Sequence, residues 1–556
     1  MQNLEIDWEN MDLDYEGENK FASFFSSQGN IHTYPAKAVP EMVKDLIQKI
    51  SSINEIDSIL DPFLGSGTTA LESKYLGIDF YGSDLNPLAV LLARTKSLTF
   101  NDTSFSKRHL LDFVNKIHNE YDHIKFVPLE KFKNIDYWFK PNNIRELSYI
   151  KDEIKKFLSK AKAYKEPYAL ILLTAFSSTV RKVSLTRNGE FKLYRMTYNE
   201  IEKHNINTLD VFQDIIHNLL EMLVEANINY KNETKCEIYL QNAKNINYLE
   251  NEKVSLVITS PPYGDSRSTV AYGQFSRLSI QWMSDLMLKY LHIPMVYDDC
   301  DELLLGGGKS DCSLQDLTGF CFSNELSKLL LEIDKKIVTK LNEAKTAKSL
   351  LISIMAKPEC ELYIDDIKSN DLLYKLIFER VRLDIYRKIS KKKSDLKDKE
   401  VKRLAKEQSR KCMIEFSDME NKNFYRRQKL IAGCFSKILE TLNRNYASIT
   451  KRKNEVILFF QDLYKVVIET DRVLKNNGFQ VWIVGHRTIL GDINVNMEGI
   501  IKDWFSNLGY SVIKSLNRKY SFKRMPHHIN STIERSEPVN TMMNEYILVV
   551  QKTKNQ

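Results

Sequence analysis

Short apolar runs recur along this chain, each stopping at small, polar or proline residues, and longer stretches with helical spacing lie between them. Val254, Leu256, Val257 and Ile258 form one such run, β-rich and suited to a strand inside a parallel sheet. Ile59 and Leu60 end another at Asp61-Pro62-Phe63, and Asp79 to Gly82 form a third that stops at Ser83-Asp84. Tyr464 to Ile489 reads as a helix, an Asn-Gly turn and a strand. A further helix and two strands follow in 499–526 and 544–550. Between the early and late strands the pattern turns helical, as in 142–161 and the apolar stretch 167–180, and 281–455 is mostly helical and charged. Strands alternating with helices predict an α/β fold.

Two of the strand ends carry candidate chemistry. After Asp61-Pro62-Phe63, Gly65, Ser66 and Gly67 predict a tight turn, and Thr68 and Thr69 open a helix. Glycine permits positive φ and close approach to a ligand, and the helix start leaves N–H groups facing the same space. Asp84 follows the next strand at about the 20-residue spacing of a ribose-binding acid in a nucleotide fold. The second strand end is Ser260-Pro261-Pro262-Tyr263. Two prolines cannot continue a ladder and hold the backbone at set angles. A hydroxyl, a rigid carbonyl and a flat ring there could grip a planar group bearing an amine. Alone, the tetrapeptide reads first as an ordinary strand-to-loop turn with a capping tyrosine.

Together the two segments, DPFLGSGTT and TSPPYGDSR, resemble the S-adenosylmethionine-dependent DNA methyltransferases that act on exocyclic amines. In that family the first is the cofactor loop and the second the catalytic loop. The segment from His32 to Ile50 is similar to the one that closes over the methionine end of the cofactor, and 236–246 is similar to the third strand. The resemblance covers about 30–100, 235–280 and 455–550, roughly half the chain. It implies a Rossmann-like methyltransferase sheet with helices on both faces, interrupted by two mostly helical inserts. The implied division is 20–100 (cofactor-binding), 101–234 (insert), 235–280 (third and fourth strands with the catalytic loop), 281–455 (insert, main candidate for target recognition) and 456–556 (last strands). The implied cofactor is S-adenosyl-L-methionine, held by His32, Tyr34, Pro35, Asp61, Pro62, Phe63, Gly65, Ser66, Gly67, Thr68, Thr69, Asp84, Asn86 and Asn242. The family's usual acid beside Asn242 is absent. The implied catalytic set is Ser260, Pro261, Pro262 and Tyr263.

The implied reaction is an in-line methyl transfer to the amine of a flipped-out base in double-stranded DNA, with Ser260 and the Pro261 carbonyl accepting from the amine and Tyr263 stacked on the ring. Serine in the first position favours cytosine N4 over adenine N6. An RNA guanine-N2 methyltransferase and an inactive nucleic-acid-binding relative are the alternatives. A separately acting restriction endonuclease is the partner the resemblance suggests.

Composition refines this only a little. The net charge is +7, from 80 basic and 73 acidic residues in a chain of 556, a mild excess whose distribution matters more than its size. Arg426 and Arg427 beside Phe424 and Tyr425, and Arg181, Lys182 and Arg195 among aromatics, are candidate DNA contacts. Arg267 and Arg277 either line the mouth where a flipped nucleotide's phosphate sits or belong to a surface loop. The charged run 388–411 reads as a solvated helix face. LLLGGGKS at 303–310 lacks the first glycine of a phosphate loop and reads as a flexible turn. Seven scattered cysteines without a C-x-x-C pair predict reduced thiols in the cytoplasm. His527-His528 has no matching ligands, so no metal is expected. No apolar run is long enough to span a bilayer, so no membrane partner is expected either.

Overall fold

The computed structural model describes residues 8, 32–35, 38–99, 103–161, 164–187, 192–231, 233–263, 272–294, 303–307, 322–357, 363–392, 398–490, 492–519 and 544–553. Arg267, His527-His528, Cys300, Cys312, Cys321 and Cys360 lie outside them. Seven strands form the main sheet: β1 (Ser58–Asp61), β2 (Asp79–Asp84), β3 (Cys236–Leu240), β4 (Val254–Thr259), β5 (Leu474–Gly485), then β8 (Tyr510–Lys519) and β9 (Asn544–Lys552). Their order is β3-β2-β1-β4-β5-β9-β8, while β6 (Arg487–Ile489) and β7 (Ile493–Val495) make a separate hairpin. The first five strands in that order pair in parallel, and β9 is antiparallel to both β5 and β8. The order reverses direction at β1 and β4, the switch point where open α/β sheets bind ligands. The Rossmann-like arrangement is the one expected.

Both sheet faces are covered because the side chains alternate. Ile59, Phe80, Leu256, Ile258, Val481 and Ile483 point into one core, and Leu60, Tyr81, Val257, Trp482 and Val484 into another. Against the first face pack α1 (Pro40–Ser51), α2 (Thr68–Leu76), α3 (Pro87–Lys96), α4 (Thr103–Glu120), α5 (Pro141–Lys160), α6 (Lys165–Val183), α7 (Thr208–Asn229) and α8 (Tyr272–Leu291). The helices between β2 and β3 therefore share this core with the sheet. The apolar α6 is buried along most of its length, which explains its lack of a polar face.

The other face is covered by α9 (Asn324–Met355), α13 (Phe435–Val473) and α14 (Met497–Asn507). Between α9 and α13 come α10 (Asp371–Lys392), α11 (Asp398–Ser417) and α12 (Phe424–Ala432). A third core forms around them from Leu351, Ile377, Val381, Phe416, Phe424 and Leu442. Helix α9 contributes Leu326 to Ile337 to the sheet core and Ala344 to Ile354 to the third core. Helix α13 does the same in reverse, with Phe435 to Leu442 in the third core and Val456 to Val473 against the sheet.

Two sequence expectations need correction. Asn477-Gly478 is not a turn between helix and strand. β5 already begins at Leu474, and Asn477 has φ 63° where the pairing with β4 jumps from Val254↔Leu474 to Leu256↔Phe479. The dipeptide makes a bulge inside the strand. Nor is the start of LLLGGGKS a flexible turn. Leu305 is buried, the Gly306 N–H donates to Asp462 Oδ2 at 3.1 Å, and a Cβ on Gly306 would lie 3.0 Å from the Phe459 backbone. Its last residues, 308–310, lie outside the described part.

Candidate active site

The neighbouring strands β1 and β4 end side by side, and one side chain ties together the loops beyond them. Asp61 Oδ1 accepts from the Thr259 hydroxyl (2.8 Å) and the Phe63 N–H (3.0 Å), while Oδ2 accepts from the Thr69 hydroxyl (2.8 Å). A single carboxylate thus fastens the strand end, the first turn of α2 and the residue preceding Ser260. Burial pushes its pKa up to about 6, against the pull of these three hydrogen bonds.

Asp84, at the end of β2, closes the glycine turn from the other side. Its Oδ2 accepts from the Gly65 N–H (2.9 Å) and its Oδ1 from the Asn86 N–H (2.8 Å), and burial also pushes it up to about 6. Lys96 Nζ donates to the Ser66 carbonyl at 3.0 Å. Gly67 has φ 90°, and a Cβ there would lie 2.9 Å from the Ala93 methyl on α3, so only glycine lets helix and turn approach so closely.

The 32–35 segment lies over this turn. A Cβ on Gly65 would meet the Tyr34 ring at 3.9 Å, and the Tyr34 hydroxyl accepts from Asn86 Nδ2 at 3.2 Å. The Tyr34 ring also packs on Tyr272 and Phe275 of α8. His32 is buried, with Nε2 2.7 Å from the Ser177 hydroxyl of α6.

These groups surround an open cleft of about 720 Å³ including its mouth. Its walls are Pro62, Phe63 and Gly65; Asp84 to Asn86; Gln241 to Ala243; Ser260 and Pro262; and Tyr34, Tyr272 and Leu303 to Leu305. An adjoining smaller cleft is lined by Asp61, Gly65, Ser66, Thr68, Thr69, Thr259 and Ser260. The two motifs, about 195 residues apart in sequence, therefore meet at one edge of the sheet. Pro261 itself is buried between cleft-lining neighbours. The chemistry of the walls, a carboxylate, three side-chain amides, aromatic faces and a helix start, fits a nucleoside carrying an amino-acid tail.

Comparison with known proteins agrees. A DNA methylase family model matches residues 8–95. The Type II methyltransferase M.MvaI of Kocuria varians is 27% identical over 531 residues, covering 93% of this chain and 90% of that protein. The chain is similar to the N4/N6 DNA methyltransferases along nearly its whole length. Shorter similarities join it to M.MjaII of Methanocaldococcus jannaschii (36% over 86 residues, 16% of each chain) and M.BsoBI of Geobacillus stearothermophilus (45% over 60 residues, 11% of this chain and 12% of that one). No solved structure matches.

The expected site residues divide by location. The cofactor and catalytic candidates converge as described, with Asn242 on the cleft wall and both Asp84 oxygens engaged by backbone N–H groups. Tyr263 is anchored. Its hydroxyl donates to Glu545 Oε1 at 2.7 Å, lies 3.2 Å from the Ser260 hydroxyl, and its ring packs beside the second core. The basic candidates are dispersed. The Arg181 guanidinium lies 3.9 Å over the Phe275 ring, and burial pulls its pKa down to about 10. Arg195 lies 4.2 Å over Tyr137, Arg277 is half-buried in α8, and Lys182 is exposed. Arg427 is bonded at 2.7 Å to the buried Glu415, while Arg426 beside it is exposed.

Sequence reasoning missed Glu545, Arg518, Lys96, Thr259 and Leu303 to Leu305. A lone acid in an otherwise apolar strand was the available signal for Glu545. The apolar trio ahead of three glycines was the signal for the leucines. Among the described residues, no helix is long and apolar enough to cross a membrane.

Proposed function

We propose that this DNA methyltransferase transfers a methyl group from S-adenosylmethionine to the exocyclic amine of a base flipped out of double-stranded DNA, with cytosine N4 the preferred target. The observation that carries this is the convergence of Gly65 and Ser260 on one cleft, fastened by Asp61. Gly65, Asp84, Asn86, Asn242, Phe63 and Tyr34 would hold the cofactor, with His32, Pro35 and the Ser66 to Thr69 turn behind them. When bound, S-adenosylmethionine supplies an activated methyl on a sulfonium. The protein's own task is to align an amine and make its lone pair available. Conjugation with the ring makes such an amine a poor nucleophile. Acceptors at Ser260 and the Pro261 backbone favour a more tetrahedral nitrogen and stabilise the charge that develops there. Extruding the base costs a few kcal/mol, and contact with Tyr263 offsets part of it.

The second helical region supports a role in DNA binding. Lys388, Lys411, Arg426 and Arg427 line one groove there with a single acid, Glu415, suited to a phosphate backbone. The Type II relatives suggest a companion endonuclease that cuts unmodified DNA.

The test uses radiolabelled S-adenosylmethionine with unmethylated phage and bacterial genomic DNA, and separately with tRNA, followed by mass spectrometry of the nucleosides. N4-methylcytosine in DNA is expected. N6-methyladenine would overturn the base preference alone, label in tRNA would overturn the substrate, and no label in either would overturn the activity.

A further inference from the structure

Tyr263 does not stand alone beside the cleft-lining Ser260. Its hydroxyl reaches Glu545 Oε1 at 2.7 Å, and the other oxygen of Glu545 is bonded to Arg518 Nη1 at 2.9 Å. Glu545 and Arg518 face each other directly in the β8–β9 ladder and are 7% and 9% exposed, so this is an ion pair placed inside the protein. Such pairs contribute little net stability, because desolvation offsets their attraction. What this one provides is a fixed acceptor beside the catalytic loop.

The proton count gives the network a direction. A phenol carries one proton, and a carboxylate only accepts. With the Tyr263 proton committed to Glu545, the 3.2 Å contact between Tyr263 and Ser260 needs Ser260 as donor. A free serine hydroxyl is ambivalent and could turn its proton toward an incoming amine, donor against donor. Pointed at Tyr263, it offers only lone pairs on its other side, and each bond in the chain polarises the next.

Resting on the amino-methyltransferase reading above, we propose that Glu545, held by Arg518, is a positioning residue that makes Ser260 a one-way acceptor for the target amine and fixes the Tyr263 ring beside it. The network does for a neutral serine what a carboxylate in its place would do by charge. The consequence is a kinetic signature: Glu545 acts on the chemical step through Tyr263 and has no role in holding the cofactor.

The test is a double-mutant cycle of Tyr263→Phe and Glu545→Gln, with kcat and KM measured on unmethylated genomic DNA, S-adenosylmethionine Kd by calorimetry, and thermal unfolding. Each single variant is expected to lower kcat about tenfold with cofactor Kd and KM for DNA within twofold of wild type. The double variant should be no slower than the slower single, because both break one chain. Losses that multiply to about a hundredfold, an unchanged kcat for Tyr263→Phe, or a parallel fall in cofactor affinity would each overturn the proposal. Tyr263→Phe leaves the Arg518–Glu545 pair intact, so it decides the matter even if Glu545→Gln does not fold. Wild-type activity in the same assay separates the two levels. An inactive wild type overturns the function, whereas an active one with independent variants overturns the network alone.

Discussion

Asp61 offers the sharpest test of the site's construction, because it is both a structural strap and a buried acid. Its folded-state pKa of about 6 lies above the ordinary value of 3.8, with burial as the cause. A carboxyl raised in this way favours folding fully only below the unfolded pKa, and that contribution is lost as pH rises through about 6. From these two values the wild type should lose about 1.4 kcal/mol of stability through Asp61 between pH 5 and pH 8. Asp61→Asn cannot ionise. Its amide keeps one acceptor oxygen for Thr259 and Phe63, and the Thr69 hydroxyl can rotate to accept from the new NH₂. Urea unfolding of both proteins at the two pH values measures the difference in slope, with the asparagine variant gaining about 1.4 kcal/mol on wild type at the higher pH. Equal slopes within about 0.5 kcal/mol, an ordinary measurement margin, would refute the reasoning. Asp61→Ala differs in kind. It orphans Thr69, Thr259 and the Phe63 N–H together, about 1–3 kcal/mol for each group left buried and unpaired, and should loosen both loops at once.

The same geometry sets the remaining expectations. Gly67→Ala forces φ 90° on an L-residue and drives its methyl into Ala93, so it should cost about 3 kcal/mol in urea unfolding. Gly65→Ala, with its nearest neighbour at 3.9 Å, should cost less and show chiefly as weaker cofactor binding. Asp84→Ala should weaken S-adenosylmethionine binding at least about tenfold, roughly 1.4 kcal/mol, in calorimetry. In the wild type, affinity should fall as pH drops through about 6, where Asp84 takes up a proton. Glu72 on α2 is pushed up to about 8 from 4.5 by burial, so its stabilising protonated form is lost as pH rises through 8. Glu72→Gln should therefore gain about 3.5 kcal/mol on wild type between pH 5 and pH 8, and a variant that merely tracks wild type would contradict this.

What the sequence discloses depends on how locally each feature is encoded. The glycine turn, Asp84 and the Ser-Pro-Pro-Tyr loop are legible because each is a short run whose backbone demands few residue types meet. The sheet core is legible because its strands are apolar on both faces. Asn477-Gly478 misleads for the same local reason: the dipeptide signals a reversal, yet β4 already fixes Leu474 in a strand, so it becomes a bulge. Leu303 to Leu305 escape because their role is set by Phe459 and Asp462, about 155 residues away. Tyr263 shows the limit most clearly. Its ring is evident from the motif, but the carboxylate gripping its hydroxyl lies 282 positions on. The basic residues differ again, since a guanidinium laid over a ring, as Arg181 is over Phe275, reads in sequence like one awaiting a phosphate.

The paired helices α9 and α13 have a consequence for how this enzyme could be re-engineered. With 32 and 39 residues they extend about 48 and 58 Å, and each crosses without a break from the sheet's core into the distal one. They behave as two girders carrying a separate headpiece. Cutting both at the same height and closing them with a short connector would remove the headpiece while leaving the cleft and its strap in place. A different headpiece spliced onto the stumps would inherit the angle at which the girders present it.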